Sequence, residues 1–381
     1  MFKYIYFNFE FSKRLYVIFF QITLLVIYFV ISKYIELKTD NNKDNNKFID
    51  YFSYSFNQNF FIFALILYYF HHRNSIKNSI ENIDQNGKKK FFSTVNYKQN
   101  GILIVKDKVK KKRDTIHNNS KIIILVLIIC IIENFIRILE SIYLKGNKSY
   151  NFESLTLLMI LLLSLFLKLQ IYNHHLLVII ISLLLTIFEI ILQSLKTKEI
   201  ISLIIFHLFL GIKLLMDNYV MEKYLVHPFL LFGLFGIIDF IINVLIFIIV
   251  VAFFNEEYKY IKNYFDDNNY KIVIHILFVF LMRLNDIYII YFYNPIFEVF
   301  PYFVMQIAVM FSEIGNNPKS IIITILFSIF TIFNILIALE IIILKFCGLD
   351  KNTKIEIAKR ATIIENLDDV DLNPIYNIII Y

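Results

Sequence analysis

Lys121-Ile-Ile-Ile-Leu-Val-Leu-Ile-Ile-Cys130-Ile-Ile-Glu133-Asn134-Phe-Ile-Arg137-Ile-Leu-Glu140 decides how the whole chain is read. It opens on an unbroken apolar run and then places ionisable residues at helical spacing. Glu133 and Arg137 are four apart, and Arg137 and Glu140 three apart, so all three share one face of a helix. The run does not alternate and is about 20 residues long, which fits a membrane-crossing helix and is twice a membrane strand. Charges inside such a helix are costly and usually face a bundle interior or a water-filled cavity.

Similar runs recur along the chain. Leu15 to Ile31 is the first, with no small-residue cleavage site after it, so it reads as a span and not as a removable leader. Further runs lie at about 50–70, 121–144, 154–172, 174–195, 200–224, 228–254, 271–293, 295–314 and 320–345. That makes ten, with nine or eleven as alternatives. The second is the weakest, because Tyr51, Ser53, Asn57 and Asn59 dilute it. Pro228 divides the sixth from the seventh and suits the first turn of a new helix.

Composition points the same way. Of 381 residues, 58% are hydrophobic, 17% aromatic and 18% charged. Soluble domains run about 45–50% apolar and about 25% charged. The apolar residues number about 221, roughly what ten spans would use. A soluble enzyme, a disulfide scaffold and a disordered chain are all disfavoured. Cys130 and Cys347 give neither a disulfide framework nor zinc spacing. Gly numbers 8 and Trp 0, so Tyr and Phe must supply any interfacial aromatic belt. The heavy Ile, Asn, Lys and Phe usage looks like codon bias of an AT-rich genome.

The expected fold is an all-α integral membrane protein of ten transmembrane helices, arranged as two inverted five-helix repeats. Residues 1–14 would form a cytoplasmic N-terminus, 15–195 and 200–345 the two repeats, and 346–381 a cytoplasmic tail. Within the first repeat, 71–120 is a polar loop carrying Lys88-Lys89-Lys90 and Lys110-Lys111-Lys112-Arg113. It is too polar to bury a core, so it reads as disordered and cytoplasmic. It is either merely solvated or a contact for anionic lipid headgroups of the bilayer. With both termini cytoplasmic, 21 Lys/Arg fall on that side and 12 opposite, and this loop with Lys121 supplies 13 of the 21. The net charge of +7 therefore reflects loop asymmetry, and no nucleic-acid partner is expected. The sequons at Asn118 and Asn147 would report the orientation.

Polar residues left inside the spans are the functional evidence. Span three holds Glu133, Asn134 and Arg137; span eight holds Arg283, Asn285 and Asp286. Arg283 and Asp286 form an i, i+3 pair. Were the chain two five-helix repeats, span three would match span eight, and inverted repeats place substrate sites at their interface near mid-membrane. The alternative is two internally neutralised ion pairs that only stabilise packing. Lys168 in span four either lines a pathway or snorkels to the surface. Lys213 and Asp217 read as a structural pair, and Asp239 and Asn243 share a face. Glu189 and Glu340 sit in similar settings, in spans five and ten. His174 and His175, being adjacent, should point to different faces and serve as interfacial polar residues. His207 and His275 read as packing histidines or proton relays.

No P-loop, G-x-S-x-G, H-E-x-x-H or paired-Cys motif is present, so neither an enzyme nor a resident cofactor or metal is expected. Two stretches carry a family likeness: Tyr219-Val-Met-Glu-Lys-Tyr-Leu-Val-His-Pro-Phe229 followed by Gly233-Leu-Phe-Gly236, and Leu339-Glu-Ile-Ile-Ile-Leu-Lys-Phe-Cys-Gly-Leu-Asp-Lys-Asn-Thr-Lys-Ile355. The first resembles the junction of helices six and seven in the drug/metabolite transporter superfamily, nearest its nucleotide-sugar-transporter-like branch. The second resembles the last helix and tail of divergent single-celled-eukaryote members. In the first stretch Phe235 stands where relatives often carry an acidic residue. The resemblance implies a secondary transporter or exchanger of a small polar organic solute, working by alternating access in an endomembrane. Arg137 and Arg283, with Lys168, would bind an anionic group of the solute. Glu133 and Asp286 would hold those cations in the empty site, and Asn134 and Asn285 would donate hydrogen bonds. A second copy of the chain is a candidate partner. A membrane scaffold or degenerate transporter is the second reading, and an intramembrane transferase using His175 or His275 the third.

Overall fold

The computed structural model describes residues 5–7, 15–34, 64–70, 120–139, 152–167, 173–193, 195–224, 226–253, 273–274, 277–313, 318–345, 348–350 and 353. Within them the chain forms ten helices and one short strand pair. Strand β1 is Ile5–Phe7 and helix α1 is Leu15–Tyr34. A helical stretch over 64–70 is α2. Next come α3 (Ser120–Leu139), α4 (Glu153–Phe166), α5 (Asn173–Gln193), α6 (Thr197–Tyr224) and α7 (Pro228–Phe253). The run 277–292 is α8, followed by α9 (Pro295–Glu313), α10 (Pro318–Ala338) and strand β2 (Ile342–Leu344).

Local chemistry sets several of the helix ends. Pro228 and Pro295 occupy first positions, where a missing N–H is no loss. The backbone N–H of Phe229 donates to His227 Nδ1 at 3.2 Å, and that of Phe297 to Asn294 Oδ1 at 3.1 Å. Side chains thus satisfy donors that a helix start leaves open. Before α6 the backbone N–H of Lys196 donates to Glu199 Oε2 at 3.1 Å, half of a capping box.

The last span was expected to run unbroken over 320–345. Helix α10 stops at Ala338 instead. Glu340 takes a left-handed conformation, with φ 56°. The N–H of Glu340 bonds the carbonyl of Ile337 at 3.0 Å and that of Ile341 the carbonyl of Leu336 at 2.9 Å. This is the helix stop usually made by glycine. The chain turns there and enters β2, which pairs antiparallel with β1 in the register Ile5↔Leu344, Tyr6↔Ile343, Phe7↔Ile342. Ile and Leu suit a strand as readily as a helix end, so composition hid the stop.

Among the described residues, Lys121–Leu139, Asn173–Ile191, Thr197–Met221 and Pro228–Phe253 are long and apolar enough to cross a membrane. Helix surfaces invert the soluble pattern. On α3, Ile123, Ile124 and Ile131 are exposed while Glu133, Asn134 and Arg137 are buried. On α7, Leu245, Ile248 and Ile249 are exposed while Asp239 is fully buried. Apolar side chains outside and charges inside are the arrangement that hydrocarbon selects and water does not. The fold is that of a helical membrane protein.

The main apolar core runs through α3, α4, α6, α7 and α9, with Val126, Ile129, Leu157, Leu161, Leu214 and Phe303 among its members. Close approach depends on the few glycines. A Cβ at Gly211 would lie 3.2 Å from Leu163 Cδ1 and 3.5 Å from the backbone N of Ile160, so α6 nestles on α4 there. A Cβ at Gly233 would collide with Leu65, where α2 crosses α7.

Candidate functional site

Four helices bring one charged cluster together. On α3, Glu133 and Arg137 form the expected pair, Nη2 to Oε1 at 3.5 Å. From α6, Lys213 Nζ lies 3.3 Å from Glu133 Oε2 and 3.4 Å from Asp217 Oδ2. From α7, Asp239 Oδ2 lies 3.1 Å from Arg137 Nη1. From α8, Arg283 Nη2 lies 3.2 Å from Glu133 Oε1. Three cations thus converge on the Glu133 carboxylate, and three carboxylates balance them.

Asparagines complete the network. Asn134 Nδ2 donates to Asp239 Oδ1 at 2.6 Å and to the Cys130 carbonyl at 2.9 Å. Asn243 Nδ2 donates to Asp239 Oδ2 at 2.8 Å. Asp239 therefore accepts from one guanidinium and two amides, as a carboxylate withdrawn from water requires. Cys130 lies beside them, its Sγ donating to the Phe235 carbonyl at 3.5 Å. Exposure separates the members. The side chains of Glu133, Arg137 and Asp239 are 3%, 5% and 0% exposed, whereas that of Arg283 is 36% exposed. Arg283 is the cluster's open edge.

Asp286 lies within Coulomb range of the cluster but takes its hydrogen bonds elsewhere. Its Oδ1 accepts from Gln21 Nε2 at 2.6 Å and its Oδ2 from the Tyr302 hydroxyl at 2.7 Å. Asn285 Nδ2 donates to Gln21 Oε1 and to the Val17 carbonyl, both at 2.9 Å. Arg283 makes its close ion pair with Glu133 and acts on Asp286 through space. Three residues of helix turn a side chain by about 60° and raise it about 4.5 Å. That suffices to aim Asp286 at α1 and α9 while the long guanidinium spans to α3.

A third polar group lies between α4, α5 and α9. Glu189 Oε1 accepts from Gln306 Nε2 at 2.7 Å and from the Ser154 hydroxyl at 3.4 Å. Thr156 Oγ1 lies 2.7 Å from His207 Nδ1. Glu153 and Glu298 are buried nearby.

The sequence missed several of these residues. Gln21 and Gln306 are single polar residues in apolar runs, Tyr302 reads as an interfacial aromatic, and Glu153 and Glu298 stand at helix starts. The pairs Lys213–Asp217 and Asp239–Asn243 form as their spacing predicts. The two adjacent histidines behave otherwise than expected. His174 and His175 are both buried, with ring centroids 4.2 Å apart, and His174 Nε2 lies 3.5 Å from Glu340 Oε1. They stand in the first turn of α5, where both side chains lean back toward the helix start. Lys168, Glu140, His275, both sequons and nearly all of the basic loop lie outside the described residues. Among the described residues, no group of three or more His, Cys, Asp or Glu is placed to hold a metal ion.

No protein-family model matches the chain, and no curated protein matches it significantly.

Proposed function

We propose that this protein is a secondary transporter or exchanger that moves a small polar, anionic organic solute by alternating access. It would be a divergent relative of the drug/metabolite transporter superfamily, in an endomembrane with both termini cytoplasmic. The observation that carries this reading is the convergence of Arg137, Lys213 and Arg283 on Glu133. A carboxylate gripped by three cations is where an anion of the solute would bind, displacing Glu133 from its partners. Arg283, the exposed edge, meets the solute first. Asn134 stands beside the cluster, and Asn285 and Asp286 lie further along α8.

The ten-span, two-repeat arrangement has support of two kinds. Pairing of β1, just before α1, with β2, just after α10, puts the outer ends of those helices side by side. An even number of crossings satisfies that. Several helix contacts also map onto one another when each number in the first half is exchanged with the number five higher, although α6–α9 has no comparable α1–α4 counterpart and α3–α7 none among the described contacts. The α4–α5 and α4–α6 contacts become α9–α10 and α9–α1, all four of which occur. The α3–α6 contact becomes α8–α1, bridged by Gln21 and Asp286. The pairs α4–α9, α5–α10 and α3–α8 map to themselves and occur too. Inverted repeats would produce such self-matching.

Uptake by vesicles containing the purified chain tests the proposal, with labelled inorganic phosphate, succinate and sugar phosphates as probes. Arg283→Ala should abolish uptake without loss of membrane insertion; wild-type rates in that variant would remove the cluster as the site. The cluster's internal charge balance also suits a non-transporting scaffold. Wild-type vesicles silent to every probe would favour that reading.

A further inference from the structure

The charged cluster neutralises itself, three cations against three carboxylates. The buried carboxyls of α4, α5 and α9 are therefore left without a matching cation among the described ion pairs. Glu189 is the most enclosed of them, 2% exposed. Its Oε1 takes both available donors, and its Oε2 has no hydrogen-bond partner among the described residues. Such a carboxylate would carry a negative charge at a buried site where one of its oxygens has no donor, which is costly.

The ligand chemistry that cures this in the space present is a proton. It neutralises the charge and turns the idle oxygen into a hydroxyl. A metal ion would need several oxygen ligands, and no group of three acidic, His or Cys side chains gathers among the described residues. The facing groups are few. From α4 come the Ser154 hydroxyl and, within Coulomb range, the carboxyl of Glu153. From α9 comes the Gln306 amide; α10 packs on α5 about two turns away, where the uncharged Asn334 bonds Ser182 at 2.8 Å. Glu153 bonds Thr156, whose hydroxyl meets His207. His207 Nε2 is again buried without a partner among the described residues. Hydrogen-bonded groups thus run from His207 of α6 to Glu153 of α4, which lies within Coulomb range of Glu189.

We infer that Glu189 is a proton-binding site separate from the basic cluster, and that it couples solute movement to proton movement. The coupling rests on the transport reading; the proton site does not. Hydronium would give its proton to the Glu189 carboxylate and leave as water, and the reverse step on the other side would return it. The coupling device is the Gln306–Glu189 bond. It joins α9 of one proposed repeat to α5 of the other, so the charge on Glu189 sets how firmly the halves hold.

Infrared difference spectra of the full chain in phosphatidylcholine vesicles, taken between acid and alkaline buffer, read the site directly. A protonated-carboxyl band should titrate in wild type and lose one component in Glu189→Gln. That variant is isosteric and keeps an acceptor for Ser154 and Gln306. Gln306→Met, which leaves the carboxyl in place, should move the midpoint of the same component. Spectra unchanged in both variants overturn the site. For coupling, phosphate or succinate uptake is measured with and without an imposed pH gradient, beside equal-pH exchange. Glu189→Gln should keep exchange and lose the gradient's stimulation. Uptake indifferent to the gradient in wild type overturns the coupling. A titrating Glu189 component in vesicles that take up no probe supports the proton site and counts against transport.

Discussion

Helices α3 and α8 carry nearly the same polar letters, Glu133-Asn134 with Arg137 on one and Arg283 with Asn285-Asp286 on the other, yet they build different chemistry. Around α3 the groups are ionic: Glu133 meets three cations, and Asp239 holds Arg137. Around Asp286 the bonded partners are an amide and a phenol, from Gln21 and Tyr302. The lesson is that an intramembrane charge is defined by what the neighbouring helices bring to it. Lys213 arrives from α6 at one centre, and the neutral Gln21 from α1 at the other.

The largest effect should come from the ionic centre. Asp239→Ala leaves Arg137 buried without its closest carboxylate and removes the acceptor of Asn134 and Asn243. Breaking one side of a buried pair costs about 3–5 kcal/mol. Thermal unfolding in detergent should show that loss, and a change below about 1 kcal/mol would mean the centre is wetter than its burial implies. At the neutral centre, Tyr302→Phe removes one donor to Asp286, with an expected cost of about 1–3 kcal/mol on the same assay. A loss equal to that of Asp239→Ala would erase the distinction between the centres. Arg283→Met should move stability by less than about 1 kcal/mol, since its charge is partly open to water. Uptake should nevertheless vanish, and a variant that unfolds would make Arg283 a structural residue. Smallest of all is Glu340→Gly. Relief of the left-handed backbone, worth about 1–2 kcal/mol, opposes loss of the His174 contact, so the melting point should barely move.

Much of the helix layout was legible because each run is long, apolar and bounded by polar loops. Pro228 announced one helix start, whereas Pro295 marks another that went unread. Pairs within one helix were legible too, since i, i+4 spacing fixes them before any packing occurs. What stayed hidden depends on how helices meet. Nothing in Leu15–Tyr34 marks Gln21 as the partner of Asp286, more than 260 positions away. Lys213 read as the mate of Asp217 because the chain shows only its own helix, while Glu133 reaches it from across the bundle. The stop after Ala338 was concealed because Glu340 fills a place that glycine usually marks, inside a run of isoleucines.

The pairing of Ile5–Phe7 with Ile342–Leu344 has a consequence in time. The first strand leaves the ribosome with no partner and keeps its row of backbone donors and acceptors open until the last helix has been made. At about 5–20 residues per second, that interval is roughly 20–70 s. During it the N-terminal edge is available to any other strand, so this seam closes last and is where assembly is most easily diverted.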